Sequence, residues 1–231
     1  PYTTLFRSIE GKEGKQAALA ADFSIKQFKT IAPLLLWSGR LSYIRTAKLA
    51  NFVMHRGLII SVIQFLFSLT FQFNTIQIYN GYLMLGYATV FTSLPVFSLI
   101  FDEDVKWRQV FDYPQLYYLL QRWRLLSPSN FLIWAWMSIY QGSIIIMLSI
   151  TLFEDSFLGI VTITFTALIF IELLNVATAV HKFHKMTKLS LLFSVIGYLI
   201  CLFFLRDLFM LSEINLEFIL KIGLITAVAW V

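Results

Sequence analysis

The sequence predicts an all-α polytopic membrane protein: six transmembrane helices, the last of them truncated, preceded by a cytosolic stalk helix and the end of a soluble domain. Three observations carry that expectation. Of 231 residues, 58% are apolar, 23 of them Phe, and mean hydropathy is +0.75, whereas a soluble domain is about 45–50% apolar. The apolar residues gather in windows of about 20, the length of helix that crosses bilayer hydrocarbon. The basic residues, finally, alternate between the loops that join those windows.

Taken in order, residues 1–8 (PYTTLFRS) read as the translation of a sequencing-library adapter rather than native protein, and are set aside. Residues 9–33 are polar and basic and belong to the soluble part. Within them Ser24 and Gln27 have the spacing of a capping box, which predicts a helix starting there. Pro33 is expected to end or kink it, since proline lacks the N–H and disfavours helical geometry at Ala32. A second helix, the stalk over 34–50, then runs without a linker into the membrane part, 51–231. There the predicted spans are 51–73, 81–101, 131–153, 157–180, 189–205 and the truncated 218–231.

Loop charge orients these spans. Lys and Arg fill 12–56, the second loop (Lys106, Arg108, Arg122, Arg124) and the fourth (Lys182, Lys185, Lys188). The first loop has none, the third carries Glu154 and Asp155, and the fifth has Arg206 alone. The positive-inside rule puts the N-terminal segment and the even loops in the cytosol. The same topology accounts for the +5 charge, so no nucleic-acid partner is expected. Cys201 is the one cysteine and offers neither a disulfide nor a metal pair.

Polar side chains inside a span are costly unless paired or wet, which makes them site candidates. Four places qualify. His55 and Arg56 lie near the cytosolic end of the first span, where Arg56 could also snorkel to headgroups. Tyr87, Thr89, Thr92 and Ser93 precede Pro95, whose missing N–H frees a carbonyl that hydroxyls can refill, either as a plain helix kink or as the lining of a polar groove. Glu172 and Asn175, three residues apart, share one face of the fourth span; Glu172 could equally pair with a basic residue of another helix. Arg206 and Asp207 sit at a span end and read as interfacial. No Walker loop, metalloprotease motif, cysteine pair or catalytic-triad spacing is present; Gly11-Lys-Glu-Gly14, with no apolar strand before it, reads as a turn.

Gly11, Glu13, Gly14, Gln16, Ala17, Ala21, Asp22, Phe23, Ile25 and Phe28, then Leu34-Leu-Leu36, Gly39-Arg40, Tyr43 and Arg45, resemble the end of the phosphorylation domain and the stalk of P4-type ATPases, the phospholipid flippases. Phe91-Thr-Ser-Leu-Pro95 with Asp104-Val105 resembles that family's sixth span and its cytosolic exit, and Tyr113-Pro-x-Leu-Tyr117 the loop after it. His55 to Ser61 (HRGLIIS), Gly86-Tyr-Ala-Thr89, Pro95-Val-Phe-Ser-Leu99 and Ser138-Ile-Tyr-Gln-Gly142 are similar to the endosomal and Golgi branch of the family.

The resemblance implies that these six spans are the fifth to tenth of a ten-span phospholipid translocase, driven by Mg2+ and ATP through an aspartyl-phosphate. It further implies a phospholipid substrate, endosome or Golgi membranes, a missing N-terminal part of the same polypeptide, and no required β-subunit. Neither the Asp-Lys-Thr-Gly nor the Asp-Gly-x-Asn-Asp motif is present, so this polypeptide alone is not expected to hydrolyse ATP. Where most members have a Lys-Asn pair in the first of these spans the chain reads Met54-His55-Arg56-Gly57, and where they have Tyr-Asn in the next it reads Tyr87-Ala88. Those family positions handle the headgroup, so the usual phosphatidylserine-type selectivity is in question. A non-catalytic membrane scaffold or receptor, recruiting partners or anionic lipid through basic loops, is the alternative. A cation pump is disfavoured, because the first two spans hold no Asp or Glu before Asp102.

Overall fold

The computed structural model describes residues 7–9, 22–73, 76–113, 115–116, 118, 125–152, 157–180, 184–204 and 216–230. The chain divides into two compact units: residues 1–44 with 104–124, and residues 45–103 with 125–231. The helices are α1 (Phe28–Thr70), α2 (Gly81–Phe101), α3 (Trp107–Asp112), α4 (Pro128–Leu152), α5 (Phe157–Ala179), α6 (Lys185–Phe204) and α7 (Leu216–Trp230). Among the described residues five helices are long and apolar enough to cross a membrane: α1, α2, α4, α5 and α6. With 15 residues, α7 rises about 22 Å, short of the roughly 30 Å hydrocarbon thickness. The all-α polytopic architecture expected from the sequence is therefore present, with the sixth apolar segment as a short helix.

In the first unit, strands β1 (Arg7–Ile9) and β2 (Phe23–Ile25) pair in parallel, Ser8 opposite Ser24. This corrects the expected capping box: Ser24 lies in a strand and the helix begins only at Phe28, with Gln27 as an N-cap that makes no side-chain bond. A ladder partner takes up the backbone groups that a cap would have served. Helix α1 does not end at Pro33, which corrects one of the two expectations, but its α-helical winding, Ile31–Pro33, stops there; as the sixth residue of α1, Pro33 withholds an N–H from the turn before it. A π-helical stretch, Leu34–Gly39, follows at once. Trp37 packs edge-on against Trp107 of α3 at 5.0 Å, and Arg40 Nη2 donates to Asp104 Oδ2 at 2.6 Å.

In the second unit α5 is the central helix: 78% of its apolar window is buried, against 22–44% for the other long helices. Ile163, Phe165, Leu168 and Ile169 of α5 meet Ile59 and Ile63 of α1, Tyr87 and Phe91 of α2, Ile145 of α4, Tyr198 of α6 and Ile225 of α7. Threonine is common on α5 and is not wasted there. The buried Thr164 and Thr166 return their hydroxyls to the carbonyls of Ile160 and Thr162, at 2.8 and 2.6 Å, which satisfies them inside an apolar layer. The outer faces carry exposed Phe65, Leu132, Trp136, Leu192 and Phe203, as a lipid-facing surface requires.

Two features position the site. Gly142 on α4 lies so close to α1 that a Cβ there would stand 3.0 Å from Val62 and 3.2 Å from the Ile59 carbonyl. Helix α2 is irregular: α-helical Gly81–Gly86, π-helical Tyr87–Phe91, α-helical Ser93–Ser98 and 3-10 Leu99–Phe101. At one end of the unit Asp102 draws together α1 and the end of α2. Lys48 Nζ donates to its Oδ2 at 2.9 Å and Arg45 Nε to its carbonyl at 2.9 Å, while Lys48 also reaches the Ala179 carbonyl at 3.3 Å.

Candidate functional site

Three helices each bring polar side chains to one buried place. From α1 comes His55, fully buried; from α4, Ser138 and Gln141; from α5, Glu172 and Asn175, each at most 2% exposed. Ser138 and Gln141 are three residues apart, as are Glu172 and Asn175, so each pair projects from one helical face. His55, Ser138, Gln141 and Asn175 form one network. Ser138 Oγ lies 2.9 Å from the Trp134 carbonyl and 2.6 Å from His55 Nδ1. The other ring nitrogen, Nε2, lies 3.1 Å from the Asn175 amide. The Asn175 and Gln141 amides bond each other at 3.0 and 3.4 Å.

Glu172 stands apart from that network. Its Oε1 is 3.9 Å from His55 Nε2, beyond hydrogen-bond distance. Both Glu172 oxygens and the Tyr87 hydroxyl are buried; the Tyr87 hydroxyl is the hydrogen-bonding group that faces Glu172, and Arg56 is the charge that acts on it. A carboxylate so placed in a bilayer interior is costly.

Arg56 lies on the outer side of Tyr87. Its guanidinium carbon is 5.7 Å from the Tyr87 ring centroid, within range of a cation–π contact. Nη1 donates to Thr92 Oγ1 at 2.8 Å and to the Ala88 carbonyl at 3.4 Å. Thr92 Oγ1 passes its own proton to the Tyr87 carbonyl at 2.6 Å. Widening of the helix over Tyr87–Phe91 leaves such carbonyls open to side-chain donors.

The structure thus brings together His55, Asn175 and Glu172 as one buried group, and Arg56, Tyr87 and Thr92 as an adjoining one. Thr89 and Ser93 are elsewhere: Thr89 is exposed and its hydroxyl bonds back to the Leu85 carbonyl at 2.7 Å, and Ser93 bonds to the Thr89 carbonyl. Around Pro95 the carbonyls of Tyr87, Thr89 and Pro95 itself accept from the hydroxyls of Thr92, Ser93 and Ser98, and Pro95 is buried in the α-helical stretch Ser93–Ser98. Ser138 and Gln141 enter the sequence reading only within Ser138-Ile-Tyr-Gln-Gly142, as part of the family resemblance and not as site candidates, although their three-residue spacing was visible. Arg206 and Asp207 lie outside the described residues. No cluster of three metal-ligating side chains occurs among the described residues.

Polar side chains enclosed by long apolar helices with exposed apolar outer faces define a polytopic membrane protein with a polar cluster in its core. The family description "Phospholipid-translocating P-type ATPase C-terminal" matches residues 18–230, and the chain belongs to that family. It is 50% identical over 222 residues to the probable phospholipid-transporting ATPase IIB of Danio rerio, covering 96% of this chain and 20% of that protein. It is 45% identical to the probable phospholipid-transporting ATPase tat-5 of Caenorhabditis elegans, over 96% of this chain and 21% of that protein. Against the phospholipid-transporting ATPase NEO1 of Saccharomyces cerevisiae it is 45% identical, over 87% of this chain and 18% of that protein. The chain therefore spans about a fifth of the length of these relatives.

Proposed function

We propose that the full-length protein is an ATP-driven phospholipid translocase, moving lipid from the exoplasmic or lumenal leaflet to the cytosolic one. In this reading the chain supplies part of the lipid path and the helix that leads to it. The observation that carries the reading is Arg56, a cation held inside the bundle by the Thr92 hydroxyl and the Ala88 carbonyl, with the buried Tyr87 and Glu172 beside it. A guanidinium suits a phosphate because it donates in a planar fork. A phosphate arriving at Arg56 would compete with Thr92 and Ala88 for its N–H groups, and the π-helical backbone they belong to is free to relax. The acyl tails would stay outside, against the exposed apolar faces.

In this reading ATP and Mg2+ are held by other parts of the full-length polypeptide. Endosome or Golgi membranes are the location in this reading. A β-subunit is not required in this reading. The basic N-terminal segment and the loop 106–124 face the cytosol.

The test is lipid-stimulated ATPase of the full-length protein carrying Arg56→Ala, Thr92→Ala or Glu172→Ala. Changed lipid dependence is expected in each, with Arg56→Ala the most severe. Lipid dependence unchanged in all three removes these residues from the path.

A further inference from the structure

Helices α2 and α6 pack side by side and leave an apolar groove of about 420 Å³ between them. Its walls are Leu94, Phe97 and Phe101 of α2 and Met186, Leu189 and Phe193 of α6. All six side chains are exposed, Phe97 at 57% and Phe193 at 59%, so the groove opens on the outer surface of the bundle. From Leu94 to Phe101 it follows α2 for about 10 Å. Neither Arg56 nor Thr92 lines it.

The lining decides what can sit there. Ser98 and Ser190 are its polar side chains, and each has spent its proton. Ser98 Oγ donates to the Pro95 carbonyl at 2.6 Å, and Ser190 Oγ to the Thr187 carbonyl at 2.9 Å. No charged side chain lines the groove. A headgroup therefore finds no donor inside it. An acyl chain finds the rings of Phe97, Phe101 and Phe193 and the thioether of Met186, which adapts to irregular apolar shapes.

Charge marks one end. Phe101, the last residue of α2, and Met186, next to the start of α6, both line the groove. Beside that end stand Lys185, which precedes Met186, and Lys188, which precedes Leu189. Both are exposed, and neither makes an ion pair among the described residues. Asp102, just past Phe101, is already held by Lys48 at 2.9 Å, and Glu103 after it balances only one of the two lysines. The end of the groove thus keeps a positive charge. An apolar slot with cations at its mouth matches an anionic phospholipid, its tail in the slot and its phosphate at the ammonium groups. The alternation of loop charge puts this end at the cytosolic leaflet, the one rich in anionic lipid.

We propose that the groove between α2 and α6 binds one anionic phospholipid of the cytosolic leaflet, as a resident lipid apart from the transport path. The proposal goes beyond the translocase reading and does not depend on it.

The test is photolabelling of the full-length protein, purified in detergent, with phosphatidylglycerol that carries a diazirine in one acyl chain. Labelled peptides are mapped by digestion and mass spectrometry. Labelling is expected within 94–101 and 186–193, and it should saturate as probe is added. Unlabelled phosphatidylglycerol should displace the probe at a concentration about tenfold below that needed of phosphatidylcholine, about 1.4 kcal/mol of preference. The double variant Lys185→Ala with Lys188→Ala should lose that preference, while a phosphatidylcholine probe still labels the same peptides and so reports an intact groove. Arg56→Ala should keep the preference. Labelling that never saturates, or equal displacement by the two lipids, reduces the groove to ordinary bilayer contact and overturns the proposal. Labelling absent from both peptides overturns it too, as when another part of the polypeptide covers the groove. A preference kept by the lysine variant overturns it, and so does one lost in Arg56→Ala, because the probe then sits in the transport path. Lipid-stimulated ATPase tests the translocase reading separately from all of these outcomes.

Discussion

His55 is the residue on which the buried network turns, since it alone links Ser138 of α4 to Asn175 of α5. Replacing it with Ala leaves two buried polar groups short of a partner. We expect His55→Ala to cost about 1–3 kcal/mol, read as a lowered unfolding temperature in detergent, with Asn175→Ala costing a similar amount. The double variant should cost less than the sum, because both remove the same bond. Arg56→Lys keeps the charge but not the planar fork that serves Thr92 and Ala88 together. It should lose most of the lipid stimulation that Arg56→Ala loses, without a fall in thermal stability. At this scale the sequence is half legible. Charge or an imidazole inside an apolar run marks His55, Arg56 and Glu172 from composition alone, and the three-residue spacing adds Asn175. Ser138 and Gln141 are not picked as site candidates, since neither is charged and a neutral polar residue within an apolar helix is commonplace; only the fold shows that their face turns inward. Thr89 and Ser93 err in the opposite direction. A hydroxyl in a helix can satisfy itself on its own backbone, so helical spacing does not establish a shared groove.

Among the elements, α1 and α4 depend on a glycine. Gly142→Ala would put a Cβ against backbone as well as side chain, so the two helices must separate. A cost of about 1–3 kcal/mol is expected, again as a lowered unfolding temperature, whereas Gly57→Ala on α1, with open space around it, should fall within about 0.5 kcal/mol of the parent. A reversal of that order would mean that α4 does not pack on α1 through Gly142. Helix identity in the membrane part was readable because apolar windows are long and unambiguous. Near the N-terminus it was not. Ser24 and Gln27 carry a capping signal of two residues, and pairing with Arg7–Ile9, remote in sequence, overrides it. The π-helical stretches Leu34–Gly39 and Tyr87–Phe91 have no sequence signature at all, because they arise from how neighbouring helices fit.

For the whole molecule, the alternation of loop charge predicts a sidedness that a tag can report. A protease-cleavable tag within the loop 106–124 should be digested from the cytosolic face of sealed vesicles, together with one at the N-terminus, while a tag near Glu154 is protected. Protection of the first tag would invert the orientation and with it the direction of transport. Span number and order were legible at this scale, since about 20 apolar residues can do little else in a chain so poor in charge, but the centrality of α5 was not: its composition differs little from its neighbours', and only packing buries it. The irregular turn in α2 carries a further consequence, for how the chain can change length. A π-helical turn is an α-helix with one residue inserted, so deleting Ala88 would restore regular winding while the segments on both sides keep their inward faces. Such a one-residue deletion should be tolerated by the fold and felt only where Arg56 finds its carbonyl. Length variation by a single residue at this point is therefore the change through which descendants of this chain could alter what the bundle holds without rebuilding it.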